Sequence, residues 1–198
     1  MEADMSQTSP RYLFAIVQVI VGLNWLLTGL NKLFFGSFPQ SLGNALRTGA
    51  GVAPALGHNP NGWYDAFIQA FILPNSLIYG YLIEWGEVCT GVAYLIGAIL
   101  LLSWSQQKGR SSLWSARLQL IMTTVLTIIT TFMCLNFNFW RGRTLPLFDP
   151  KFAYGPIWEA NLILPIVSLC LLIVSVGVWQ EAMRTLASVP LQKNAKNT

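Results

Sequence analysis

The sequence predicts an all-α integral membrane protein, a bundle of four transmembrane helices with short interfacial helices in a long first outer loop. Three observations carry this reading. Hydrophobic residues make up 54% of the 198-residue chain and charged residues only 10%, against about 25% charged in ordinary soluble domains. Four apolar stretches are as long as, or nearly as long as, the roughly 20 residues a helix needs to cross a bilayer. Aromatic residues collect at the ends of those stretches, where membrane interfaces would lie.

The first span is expected at 12–35 and the second at 79–102, with the third at 113–135 and the fourth at 162–179. Tyr12, Trp104, Trp114 and Trp179 would mark one interface, and Tyr79, Tyr81, Trp140 and Trp158 the other. The whole of 1–198 reads as a single membrane domain with outer loops 36–78 and 136–161 and a cytoplasmic tail 180–198. With both termini inside, Arg11, Lys108, Arg110, Arg117, Arg184, Lys193 and Lys196 face the cytoplasm, while Lys32, Arg47, Arg141, Arg143 and Lys151 lie outside. That distribution follows the positive-inside rule. The polar, acidic opening MEADMSQTSP is the reverse of a basic signal-peptide start.

The first outer loop is too long to be structureless in a compact domain. Pro39–Thr48 suits a short helix with Pro39 in its first turn. Asn61–Leu73 suits a second, stopped by Pro74, with Trp63, Phe67, Ile68, Phe71 and Ile72 spaced to lie on the membrane or cap the bundle.

Composition also excludes several functions. The net charge of +4 is spread over separate polar segments and makes no basic stripe for nucleic acid. Cys89, Cys134 and Cys170 fall in three different apolar segments without a CxxC, so they read as small packing residues. His58, the single histidine, sits in a loop (GHNPNG), and with no CxxCH either, b- and c-type haem lack their ligands. No His, Cys or carboxylate group has metal-ligand spacing, so no metal is expected. Phosphate loops and a GxSxG elbow are absent. The threonines of the third span, Thr123 to Thr131, read as packing residues bonded back to their own helix.

Ionisable residues within membrane helices are expensive, by about 2.5–3.5 kcal/mol each on insertion scales. Glu84 and Glu87, three apart, share a face at the outer end of the second span, and Gly80 and Gly91 extend that face for close approach. Asn24, Thr28, Asn31 and Lys32 climb the first span toward the same membrane face. Asn136, Asn138, Arg141 and Arg143 end the third, and Glu159 and Asn161 begin the fourth. The functional reading is a hydrated polar pocket at the outer face. Glu87 is its deepest carboxylate and Lys32 the counter-ion, with Glu84 beside them. Arg141, Arg143, Asn31 and Asn136 would bind a small anionic substrate, while a lipid-like partner such as a quinone enters from the side. The structural reading of the same residues is a Lys32–Glu87 interhelical pair, with Glu84 and the arginines reaching headgroups and the asparagines tying helices together.

These residues carry a family resemblance. The stretch VGLNWLLTGLNKLFFGSF (21–38), with a glycine shortly before Lys32, resembles the opening of DoxX-like and DoxD-like membrane proteins. The stretch YLIEWGEVCTGVAYLIGAILLL (81–102) is similar to that family's second helix, in which a carboxylate precedes a Gly-rich run and a long aliphatic segment. The resemblance covers most of 11–180. It implies a subunit of thiosulfate:quinone oxidoreductase, which oxidises thiosulfate to tetrathionate and passes electrons to membrane quinone with a second protein subunit. Lys32, Glu84 and Glu87 are the positions that carry over. It also implies a bacterial or archaeal plasma membrane. Quinone would be a co-substrate; any resident cofactor is unspecified. Two other functions remain open: a non-catalytic subunit of a larger respiratory or photosynthetic complex, and a small transporter.

Overall fold

The computed structural model describes residues 10–49, 53–104, 110–143 and 160–195. Its elements are α1 (Pro10–Phe35), α2 (Phe38–Thr48), α3 (Gly62–Phe67), α4 (Ser76–Trp104), α5 (Arg110–Trp140) and α6 (Ala160–Ala195). No strand occurs among the described residues. Among the described residues, four helices are long and apolar enough to cross a membrane. At 26, 29, 31 and 36 residues, each exceeds the roughly 30 Å of a hydrocarbon core at about 1.5 Å per residue.

The bundle is apolar outside and buries polar side chains within its core, which identifies its solvent. Ile99, Ile128 and Ile173 are each 64–65% exposed, while Gln18, Gln119, Thr123, Thr130, Ser168 and Ser175 are 0–1% exposed. Water would drive the opposite arrangement; lipid accepts this one, because interhelical contact in a bilayer rests on packing and hydrogen bonds. The chain is an integral membrane protein.

Helices α1 and α4 form one closely packed pair and α5 and α6 the other, with α4 also packed on α5. Three apolar layers fill the interior. Ala15, Ala98, Ala116 and Ala182 pack with Leu101 and Val178 at the end remote from the long loop. Trp25, Tyr94, Leu126, Cys134 and Leu171 fill the middle. Leu42 and Leu46 of α2 meet Tyr64 and Ile68 at the loop end. Helix α2 is seated on α4 by a glycine: a Cβ on Gly80 would lie 2.3 Å from the Pro39 Cα.

The helices run differently from expectation at three places. Pro74 does not stop the segment after Asn61. It lacks an N–H and would clash with the carbonyl four residues back. The chain absorbs this with a π-helical turn at Ile68–Ile72 and a 3-10 turn at Leu73–Asn75, then continues into α4 at Ser76. Second, α5 runs through the supposed start of the outer loop to Trp140, because its asparagines are compatible with helix and only Gly142, at φ 77°, ends it. Third, α6 carries the supposed tail onward to Ala195. Trp158 and Glu159 lie outside the described residues, as does most of the loop before α6.

Candidate functional site

The site begins with glycines that let α1 and α4 touch. A Cβ on Gly91 would fall 2.5 Å from the Leu26 nitrogen and 2.7 Å from the Gly22 oxygen; one on Gly29 would fall 2.8 Å from the Val88 nitrogen. With the backbones this close, the end of α1 lies against the turn of α4 that holds both glutamates. Lys32 donates to Glu87 Oε1 across the interface. The Lys32 side chain keeps 20% exposure while Glu87 has 1%. The Lys32 ammonium also lies 4.6 Å from the ring centre of Phe38 in α2 and 5.6 Å from that of Phe137 in α5, a cation–π cradle from two further elements.

Glu84 is 2% exposed, one turn from Glu87. Glu84 Oε1 and Glu87 Oε2 are buried without a hydrogen-bond partner among the described residues, and so is the Trp25 indole N–H of the facing helix. Lys32 pairs with Glu87, and the second buried carboxylate, Glu84, lies one turn away. When both are ionised, one negative charge is uncompensated, and a buried charge of that kind takes up a proton, a donor or a cation. The cluster can therefore hold a proton at a carboxylate and accept hydrogen bonds from a ligand.

Beside it lies an apolar cavity of about 170 Å³. Its walls come from α2 (Phe38, Leu42, Leu46), from α3 and the π turn (Tyr64, Ile68), from α4 (Tyr79, Ile83) and from α5 (Met133, Asn136, Phe137, Trp140). Phe38 and Phe137 are common to both structures, so the Lys32–Glu87 pair stands directly behind two aromatic walls of the cavity. Polar groups are few. The Tyr64 hydroxyl donates to the Asn136 carbonyl at 3.1 Å, and the Asn136 amide donates to the Phe132 carbonyl at 2.7 Å. The Trp140 indole N–H is buried with no acceptor among the described residues. A mostly apolar hollow with a few fixed donors is the usual make-up of a small-molecule site.

The expected site residues divide into three groups. Lys32, Glu84 and Glu87 come together, and Asn136 lines the neighbouring cavity. Asn31 does not join them. It is exposed on the far side of α1, in a shallow groove with Leu27, Thr28 and Phe34, and Thr28 only bonds back to the Asn24 carbonyl at 2.7 Å. Arg141 is exposed. Arg143 donates to Asn138 Oδ1 at 3.3 Å, and its carbonyl accepts from the Asn61 amide at 2.7 Å. Its described contacts therefore belong to the α5 terminus. Gly80 and Gly91 serve helix packing, and the side chain of Asn161 is not described.

Three sets of residues escaped the sequence reading. Asn59 donates to the carbonyls of Phe139 and Trp140 at 2.8 and 3.3 Å, capping α5, while buried Asp65 accepts from the backbone N–H groups of Gly57 and Asn59. The Asn-Pro-Asn run at 59–61 was the available signal. The Tyr94 hydroxyl joins Ser168 at 2.6 Å and Thr130 at 3.2 Å, tying α4, α5 and α6. Gln18 of α1 and Gln119 of α5 converge on Gly97 of α4, with amide atoms 3.3–3.5 Å from where its Cβ would stand. The threonines of α5 bond back as expected, at Thr123, Thr124 and Thr127. Thr123 and Thr127 additionally reach α6. His58 is exposed. The three cysteines are free, Cys134 buried and the other two facing outward. No group of three or more potential metal ligands occurs among the described residues.

No family model matches the chain, and neither a curated protein nor a solved structure does.

Proposed function

We propose that this chain is the membrane subunit of a DoxX/DoxD-like, quinone-linked oxidoreductase, and that the aromatic cavity receives the quinone ring. One observation carries the reading: the cavity of about 170 Å³ abuts a buried carboxylate–ammonium cluster. A dry cavity of about 150 Å³ accommodates a benzene ring, so the volume suits a single quinone ring with its tail leaving toward lipid. The Trp140 indole N–H, buried without an acceptor among the described residues, supports a hydrogen bond to a ring carbonyl. Glu87 and Glu84 stand behind Phe38 and Phe137 as the proton reservoir that quinone reduction requires.

With thiosulfate as donor, two S2O3²⁻ are oxidised to S4O6²⁻ with release of two electrons, and these, with two protons taken from water by way of the carboxylates, convert quinone to quinol. The electrons arrive through a second subunit. Arg141 and Arg143 sit at the same end of the bundle and favour an anion approaching from water. The positive-inside rule supports placing that end outside a bacterial or archaeal plasma membrane, with both termini in the cytoplasm.

Thiosulfate-dependent quinone reduction by the native complex tests the reading. Glu87→Gln should lower turnover at least tenfold while the complex stays assembled, and Ile83→Trp, which fills the cavity, should raise the KM for quinone. Unchanged kinetics in both assembled variants would remove the site.

A further inference from the structure

Independently of that site, α1 carries an outward face that lipid does not suit. Leu13, Ile20, Asn24, Leu27, Asn31 and Phe34 follow one another at intervals of seven, four, three, four and three residues. The four apolar members are 61–71% exposed, and both asparagines are exposed. These residues point away from the Gly22–Gly29 face that packs on α4. Asn24 stands at the midpoint of the Tyr12–Phe35 span. Neither Asn24 nor Asn31 has a side-chain hydrogen bond among the described residues. A carboxamide turned to hydrocarbon at that depth leaves two donors and an acceptor unmet.

The spacing is that of a coiled-coil seam, with the asparagines at consecutive a positions and Ile20, Leu27 and Phe34 at d positions. Asparagine at an a position is self-complementary: its amide donates to the carbonyl of its counterpart in a parallel, in-register helix. A two-fold axis along the membrane normal brings α1 against a second α1 in that arrangement, and a membrane fixes both copies in the same orientation. The geometry points to a homodimer in which the α1 helices of two copies pair in parallel, Asn24 against Asn24 and Asn31 against Asn31. The occupant is a second copy of this chain: a parallel two-fold pair sets each asparagine against its own counterpart, donor to acceptor.

Cysteine cross-linking on the full chain in native membranes tests this, with Cys89, Cys134 and Cys170 replaced by alanine. Asn24→Cys and Asn31→Cys should each give a disulfide dimer under mild oxidation. Ile99→Cys and Ile128→Cys, also exposed, on α4 and α5, should not. Asn24→Leu/Asn31→Leu makes α1 more apolar and so leaves insertion intact; it should weaken dimerisation at least tenfold, read as mass in nanodiscs. A monomeric wild type, equal cross-linking at all four positions, or cross-linking of α1 to a different protein would each overturn the proposal.

Discussion

Removing Lys32 and Glu87 together should destabilise the protein no more than removing Lys32 alone. In the wild type, Lys32 offsets a glutamate that is 1% exposed and lies one turn from a second buried glutamate. Two unit charges about 4 Å apart attract by about 4 kcal/mol at an effective dielectric constant of 20. Deleting one partner of such a pair typically costs about 3–5 kcal/mol, since the survivor is left buried and unpaired. Lys32→Met should therefore lose about 3 kcal/mol, the low end, because Lys32 keeps some exposure and Glu87 can take a proton. Glu87→Gln alone should lose about 1–2 kcal/mol, and the double variant no more than Lys32→Met. The coupling energy is then about 1–2 kcal/mol. Unfolding in mixed micelles, followed by tryptophan fluorescence, measures all four corners. Strictly additive losses would refute the pairing. A companion arm is Glu84→Gln, which relieves the uncompensated charge and should leave stability unchanged or raise it.

Two further outcomes follow from packing. Gly91→Ala should lose about 1–3 kcal/mol through overpacking, because the new methyl meets backbone atoms of α1 that cannot yield. Gly86→Ala on the same helix meets only the Met133 terminal methyl at 4.0 Å and should be neutral or slightly stabilising; equal effects in the same unfolding assay would contradict the close α1–α4 contact. Tyr94→Phe removes the hydroxyl that joins Ser168 and Thr130 and should cost about 0.6–1.7 kcal/mol, the range for hydrogen bonds between membrane helices. A zero change would show that the three helices are held without it.

Much of the architecture is legible because membrane helices declare themselves by length and apolarity, and the ionic pair because a charge in that setting demands a counter-charge. Glu84 and Glu87 share a face by simple spacing, and they do so in the structure. The helix ends are harder. Asn136 to Trp140 carries no helix breaker, so α5 continues past its apolar run, and Pro74 is accommodated by a π turn that no composition rule marks. Asn31 and Lys32 illustrate a sharper limit. Adjacent residues on a helix differ by about 100° in direction, so reaching the same membrane face does not mean reaching the same pocket: Lys32 turns inward and Asn31 outward. The cavity is formed by α2, α3, the π turn, α4 and α5, up to a hundred residues apart, and no local pattern encodes it. Gln18 and Gln119 carry no charge and so demand no counter-charge, and nothing in the sequence marks them as meeting inside the bundle, although both are buried.

The most direct measurement of the central reading is photolabelling of the purified complex with an azido-quinone, followed by peptide mass spectrometry. Label confined to the cavity walls of α5 and α2, near Met133, Phe137, Trp140 and Leu42, and displaced by excess unlabelled quinone, is the predicted result. Label spread over the outward faces around Ile99, Ile128 and Ile173, or unaffected by competitor, would contradict it.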